Sequence, residues 1–489
     1  MSEILIADRI LTGAYSPLQA GLVCIDEGEI SAVHTLAEED ELKDGPALAA
    51  QLGLDLGCPM TDLRALVPNH LVTPAFIDVH THLALGFLRG VSPSPSSKVG
   101  LGQQQTKEIP SNIVEDFYFG WEAELTPQDV RAFVRMGAFE SILSGVGLVW
   151  DHYYHAEHVA AGLCDTGLAG VVSPTLQDVR GPCSKESESA LRSTEHLCRA
   201  AWSASGIFSA LGPHATDTVS PELLQNALRL AEQFQLPIHM HLAQSFTEFA
   251  RSMEDRNCTP MQFLEREGLL SSDLSMLLVH GLFLTDNDLS LLNSDRHCLV
   301  YCPSSQRRFG FPARIDRWDQ LRWALATDCA SSNDSWNLQK EMRLASCQDA
   351  LKAAFSNSLS RFFRSGNTED ARNVWDTRHV VPPSPEELLS RVWDVPGALH
   401  PKVSAGAISA GSLGNLLIWD LNHPSFWPAV DLRSHLALGD TTQAIWGMRI
   451  RGERVGVDGA FHRSIVEHDD YLEAKREADE RWRLLAARV

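Results

Sequence analysis

Residues 236–246 read LPIHMHLAQSF. A short apolar run ends in histidine and passes into a polar turn. Just upstream lies an amphipathic helical stretch, SPELLQNALRLAEQF (220–234). A helix feeding a short, buried apolar strand is the repeating unit of an α/β fold. The same rhythm recurs along the chain. Strand candidates are VTPAFIDVH (72–80), VGLVWDHY (146–153), GLAGVVSPTL (167–176), GIFSALGPH (206–214), LPIHMHLA (236–243), SMLLVHG (275–281), HCLVYCP (297–303) and LRWALATD (321–328). Helical stretches such as TPMQFLEREGLL (259–270) fall between several of them. Eight alternating units favour a closed (β/α)₈, TIM-like barrel. An open doubly wound sheet is the alternative, but no glycine-rich phosphate turn opens a helix.

The flanks have a different texture. ILIADRIL and GLVCIDEGEISAVH alternate apolar and polar residues, with a hairpin turn at DEGE (26–29), and GNLLIWDL and IWGMRIRGERVGVDG repeat the pattern near the C-terminus. This predicts short strands at both ends. Residues 38–65 and the Ser/Pro/Gly/Gln-rich 91–116 read as insertions, the second either an excursion or a lid over the barrel mouth.

Composition bounds the partners. The chain has 489 residues, 44% of them hydrophobic, with a formal charge of −22. That charge disfavours nucleic acid and anionic membranes. No run reaches the ~18 apolar residues of a membrane span. MSEILIADRIL carries Glu3 and no basic flank, which argues against a secretory signal. The ten cysteines lack CxxC spacing; the closest pair, Cys298 and Cys302, reads as core thiols. The expectation is a reducing, cytoplasmic compartment; the charge says nothing about a small substrate.

The polar residues of those strands cluster by position. His80 and His82 end the first, His241 the fifth, His280 the sixth and Asp328 the eighth. In a barrel these C-terminal ends converge on one mouth, where such folds place their chemistry. Imidazoles plus a carboxylate suit Zn²⁺ or Fe²⁺, with a coordination position left for water. Each residue has a plainer reading alone: a hydrogen-bonded core histidine, or a helix N-cap for Asp328. Their shared position at strand ends makes the metal site.

The stretches VTPAFIDVHTHLALGFLRG, GPHATDTVSPELL, PIHMHLA, LLVHGLFLTDNDLSLL, YCPSSQ and ALATDCASSNDSWNLQKEMRLA, in this order, resemble the amidohydrolase superfamily. The likeness is to the branch with cytosine deaminase, methylthioadenosine/adenosylhomocysteine deaminase and the triazine chlorohydrolases. It implies a composite β-sandwich of residues 1–65 and 404–489 beside a barrel of residues 66–403. SAGSLGNLLIWDL resembles the family's C-terminal strand motif, with Asn415 where Asp is usual. It further implies His80, His82, His241 and Asp328 as ligands of one divalent metal, zinc first, with iron, manganese or cobalt as alternatives. His280 would stand beside the metal water, Asp328 would accept its proton, and His214 and Ser331 would contact substrate. His239 is expected to turn away from the metal as packing or support. A homodimer is expected.

Gln244 departs from the pattern, because the deaminases carry Glu there. An amide does not titrate near neutral pH and only exchanges hydrogen bonds. Either Asp328 is then the sole base or Glu248, four residues on, takes over; a solvated helix-face Glu248 is the plainer reading. Gln306, Arg307 and Arg308 also depart, and the two arginines could grip a substrate carboxylate. The reading is a metal-dependent hydrolase of a non-peptide C–N bond in a small cyclic or heteroaromatic substrate, Gln244 altering its proton handling. The alternatives are a non-hydrolytic metal enzyme (lyase, decarboxylase or rearrangement) and a catalytically impaired binding relative.

Overall fold

The computed structural model describes residues 2–489 except 38–39, 41–42, 56, 92–111, 200, 309–314, 319, 348–360, 362, 371 and 373–382. Most of the 91–116 insertion and of 355–385 therefore lies outside the described residues.

Strands from the two ends of the chain build one sheet. Glu3–Leu11 (β1), Leu18–Asp26 (β2), Glu29–Thr35 (β3), Met60–Asp62 (β4) and His70–Pro74 (β5) come from the N-terminal side, and Leu416–Asp420 (β15), Ile445–Ile450 (β16) and Glu453–Val455 (β17) from the C-terminal side. Their order is β17-β16-β15-β5-β1-β2-β3, with β4 on β1. The β2–β3 hairpin turns at Asp26–Glu29, with Glu27 and Gly28 both at positive φ, as a tight two-residue turn requires. One sheet face packs Leu5, Val23, Ile25, Leu416 and Ile418, and the other packs Ile4, Ile6, Leu22 and Leu48.

The two ends are locked by charge. The Arg449 guanidinium is fully buried and donates to Glu3 (2.8 Å) and to both Asp458 oxygens (2.9 Å each). Thr61 adds its hydroxyl to Glu3 (2.6 Å). Residues 469–486, by contrast, form a helix that packs on the helix Pro127–Leu143, tied by Arg135–Glu477 (2.8 Å) and Arg488–Asp129 (2.5 Å).

The barrel strands are Phe76–Thr81 (β6), Val146–Tyr153 (β7), Ala169–Leu176 (β8), Ile207–Ser209 (β9) with Gly212–Pro213 (β10), Ile238–Leu242 (β11), Met276–His280 (β12), His297–Tyr301 (β13) and Trp323–Leu325 (β14). Nearly every residue in them is buried, as expected where helices cover one face and the barrel core fills the other. All pairs are parallel, in two groups, β6–β10 and β11–β14. Bridges Leu211↔Ile238 and Thr81↔Asp328 join the groups and close the ring. The helix Pro221–Phe234 opens on Ser220, whose hydroxyl accepts from Leu223 N–H, and turns Leu223, Leu224, Ala227, Leu228 and Ala231 inward.

Asn415 shows why an amide replaces the usual Asp. Its Nδ2 donates to Gly147 O of β7 (2.9 Å) while its Oδ1 accepts from Arg451 N–H (2.8 Å), so sheet and barrel are joined through a donor that a carboxylate lacks. All ten cysteines are free. Among the described residues no helix is long and apolar enough to cross a membrane.

Arg449→Ala should lower stability by about 3–5 kcal/mol, because it strands two buried carboxylates. A urea-unfolding midpoint equal to that of the unaltered protein would show that the cluster does not join the chain ends.

Candidate active site

Backbone geometry brings the site together. Asp328 N–H donates to His80 O (3.0 Å) and His82 N–H donates to Asp328 O (3.1 Å), so the bridge that closes the barrel also sets its first and last candidate ligands side by side. His280, Asp328 and Ala243 all have positive φ (78°, 67° and 48°). Non-glycine residues pay about 1–3 kcal/mol for such conformations, which persist where surrounding structure enforces them.

Buried carboxylates pin several of the loops at the mouth. Asp78 accepts from Thr327 N–H (3.0 Å) and its hydroxyl (2.5 Å), tying β6 to the residue before Asp328. Asp151 accepts from Leu83 N–H (2.7 Å) and the Thr81 hydroxyl (3.1 Å), gripping the chain on both sides of His82. Glu341 accepts from Ser304 N–H (2.8 Å) and Asn333 Nδ2 (3.0 Å), joining the loops after β13 and β14. Burial pushes each of these three carboxyls up to about 7.

The ligand atoms of His80, His82 and His241 cluster within 4.8 Å of one another. His241 Nε2 lies 3.3 Å from His82 Nε2, and Asp328 Oδ1 lies 3.5 Å from His82 Nε2 and 3.8 Å from His80 Nε2. His80 Nε2 is buried with no hydrogen-bond partner among the described residues. The other ring nitrogens are engaged outward: His82 Nδ1 donates to His152 O (2.5 Å) and His241 Nδ1 to His214 O (2.9 Å). This fixes the tautomer that turns each Nε2 lone pair inward. Burial holds His82 and His241 down at about 4, and burial plus the neighbouring imidazoles hold His80 well below its usual range. Neutral imidazoles facing a carboxylate, one nitrogen orphaned, fit a divalent cation.

His239 does not turn away. Residues two apart on a strand share a face, so His239 points inward with His241. Its Nε2 lies 2.8 Å from His80 Nδ1 and its Nδ1 lies 2.9 Å from Ser173 Oγ, a relay that supports His80 from behind. His280, His214 and Gln244 line the same cavity as His82, His241 and Asp328. Ser331 is not among the described lining residues; its hydroxyl lies 3.0 Å from Cys329 Sγ.

Glu248 is fully buried rather than solvated. It accepts from Gln244 N–H (2.9 Å) and the Thr216 hydroxyl (2.6 Å), so it holds the Gln244 loop and is not in the cavity lining. Burial, with Asp217 nearby, pushes its carboxyl up to about 7. Arg307 donates to Leu344 O (2.8 Å) and Arg308 pairs with Asp334 at the surface, and neither is among the described residues lining this cavity.

The cavity has walls that sequence reading passed over. Val114–Tyr118 forms a π-helical turn leading into the helix Phe119–Glu122, and Tyr118, Phe119 and Glu122 face the site. His152, Tyr153, Tyr154 and Thr175 complete it. DFYFGWE (116–122) carries Tyr118 and Glu122 four apart, which would place them on one helical face. Burial pushes the Glu122 carboxyl up to about 8, partly offset by the Tyr153 hydroxyl.

The sequence profile of the amidohydrolase family matches residues 71–371. The chain belongs to that family. This amidohydrolase is 27% identical over 434 residues to 5-methylthioadenosine/S-adenosylhomocysteine deaminase of Pyrococcus furiosus, covering 87% of this chain and 93% of the relative. It is 31% identical over 301 residues to 5'-deoxyadenosine deaminase of Methanothrix thermoacetophila, covering 60% and 67%. Its fold matches zinc-complexed atrazine chlorohydrolase of Arthrobacter aurescens, with a TM-score of 0.71, 17% identity and 99% and 100% coverage.

A raised carboxyl makes stability depend on pH. Glu122 keeps its proton to about pH 8 when folded but loses it near 4.5 when the chain unfolds. The folded state therefore binds more protons across that window, and stability falls as pH rises through it. Asp78, Asp151, Glu248 and Glu341, raised to about 7, add to the slope below that pH, so Glu122→Gln in the metal-free protein should lessen it most between about pH 7 and 8 in urea titrations; an unchanged slope there would place the dependence elsewhere.

Proposed function

We propose that this amidohydrolase hydrolyses a non-peptide C–N bond of a flat heteroaromatic or nucleoside-like small molecule, with one divalent metal, zinc first, held by His80, His82, His241 and Asp328. The supporting observation is the inward-facing donor set at the foot of a cavity walled by Tyr118, Phe119, Tyr153 and Tyr154. When bound there, the ion would supply Lewis acidity that brings the pKa of a water down to about 7.

The chain's own residues divide the remaining work. Aromatic walls favour a planar ring by stacking and exclude bulk water. Asp328 Oδ1 faces the ligand imidazoles and accepts the proton of the attacking water, while Ser305 donates to Oδ2 (2.5 Å) and keeps the carboxylate oriented. His280, neutral because burial and the nearby imidazoles depress it, donates a hydrogen bond to charge developing on the substrate. Gln244 orients water or a ring heteroatom without titrating. The titratable group the deaminase pattern expects at 244 is thus absent, and Glu122 is the cavity's further carboxyl group. The far side of Tyr153, Tyr154 and Thr175 walls a second cavity, lined by His155, His158, Glu157 and Glu186.

Gln244→Ala should reduce kcat/KM by the worth of a lost hydrogen bond, about 1–3 kcal/mol or ~5–150-fold. Asp328→Asn should cost far more, and His241→Ala should lose both metal and activity. Gln244→Glu gives the sharpest outcome: native activity rising by orders of magnitude would mean the amide is a defect and not a mark of different chemistry. Product formed in ¹⁸O-labelled water should carry the label, and unlabelled product would exclude hydrolysis. Fully active protein without stoichiometric metal would sink the reading at its base.

A further inference from the structure

One titratable side chain beside the site has no part in that mechanism. Cys302 follows β13 directly, between His280 at the end of β12 and Asp328 after β14. The ligand atoms of His280, Cys302 and Asp328 lie within 4.8 Å of one another, a grouping separate from His80, His82 and His241. All three residues are buried, and the backbone holds His280 and Asp328 in the left-handed region that aims their side chains.

We infer that His280, Cys302 and Asp328 form a second metal site, selective for thiophilic ions such as zinc, that fills only when the ion is in excess and shares Asp328 with the first.

The donor set argues the selectivity. A thiolate and an imidazole select zinc or cuprous ion over magnesium or calcium, which need oxygen cages. One carboxylate can bridge two ions, and paired sites in hydrolases hold ions about 3.5–4 Å apart. Asp328 Oδ1 already faces His80 and His82, and Oδ2 is held on the other side by Ser305. Binding breaks the Cys302 S–H bond; its proton leaves to solvent, the sulfur pair goes to the ion, and nothing is oxidised or reduced. The first site offers three imidazoles and a carboxylate, whereas this one offers a single imidazole, a thiol and a carboxylate already shared, so it fills second.

Filling it has a functional consequence. His280 and Asp328 are the groups proposed to stabilise charge and accept a proton, and coordination withdraws both. Excess zinc therefore acts as a brake built from the catalytic residues and one thiol outside them.

The inference rests on Asp328 being a ligand of the first ion, and cobalt titration separates the two. Metal-free protein should take up a first equivalent of Co²⁺ with visible d–d bands and no thiolate charge-transfer band. A second, weaker equivalent should then bring a near-ultraviolet thiolate-to-cobalt band. Cys302→Ser should keep the first equivalent, which also confirms that the variant folds. It should weaken the second at least tenfold and abolish the band, with Cys302→Ala repeating the result. Saturation of the unaltered protein at one equivalent without the band would overturn the second site and leave the first standing. A band that persists in Cys302→Ser would overturn it too, since another cysteine would be the ligand. No uptake at all would overturn both.

Discussion

The paired backbone hydrogen bonds between Asp328 and His80/His82 carry the most consequence in this molecule. They join the first and last strands of the barrel, so they close the ring. They also bring a carboxylate from one end of the barrel sequence against imidazoles from the other. Closure and site assembly are therefore one event. Asp78 reinforces it by accepting both the backbone N–H and the hydroxyl of Thr327, one residue before Asp328. A barrel that failed to close would lose its fourth candidate ligand with its last strand.

The site is held stiff by groups that never meet substrate. Asp78, Asp151, Glu341 and Glu248 are each buried behind a different loop of the mouth, and each accepts hydrogen bonds from the backbone it positions. Buried carboxylates are costly unless satisfied, and here backbone N–H and hydroxyl groups bond to each of them, although Asp151 Oδ1 has no partner among the described residues. Asp78 and Glu248 restrain the chain directly beside the left-handed Asp328 and Ala243. Preorganisation of this kind places ligands at the right distance before an ion or a substrate arrives.

Gln244 is where this amidohydrolase departs from the deaminase pattern it otherwise resembles, and the proposed difference in proton handling starts there. Gln244 lies in the cavity, but its backbone is pinned by Glu248, whose carboxylate faces the protein interior. Moving the base four residues along the chain is therefore not how this chain replaces it. The lining instead offers Glu122, supplied by a helical segment outside the strand-end motifs.

The amino-acid sequence by itself determined the architecture and pointed to the candidate ligand set. Strand ends are legible because a buried parallel strand must be an unbroken apolar run, and a polar residue at its end has one place to go. That logic reached His80, His82, His241, His280 and Asp328. It failed for His239, where two-residue spacing on a strand means the same face, and for Glu248, whose burial depends on Thr216 and Asp217 from another loop. It did not reach Glu122, His152 or the tyrosine walls, nor the approach of Cys302 to Asp328. These depend on which loops fold over the mouth and how the strands are staggered, and no local periodicity encodes either. Packing between elements distant in sequence is set by the closed ring, so only the tertiary structure decided them.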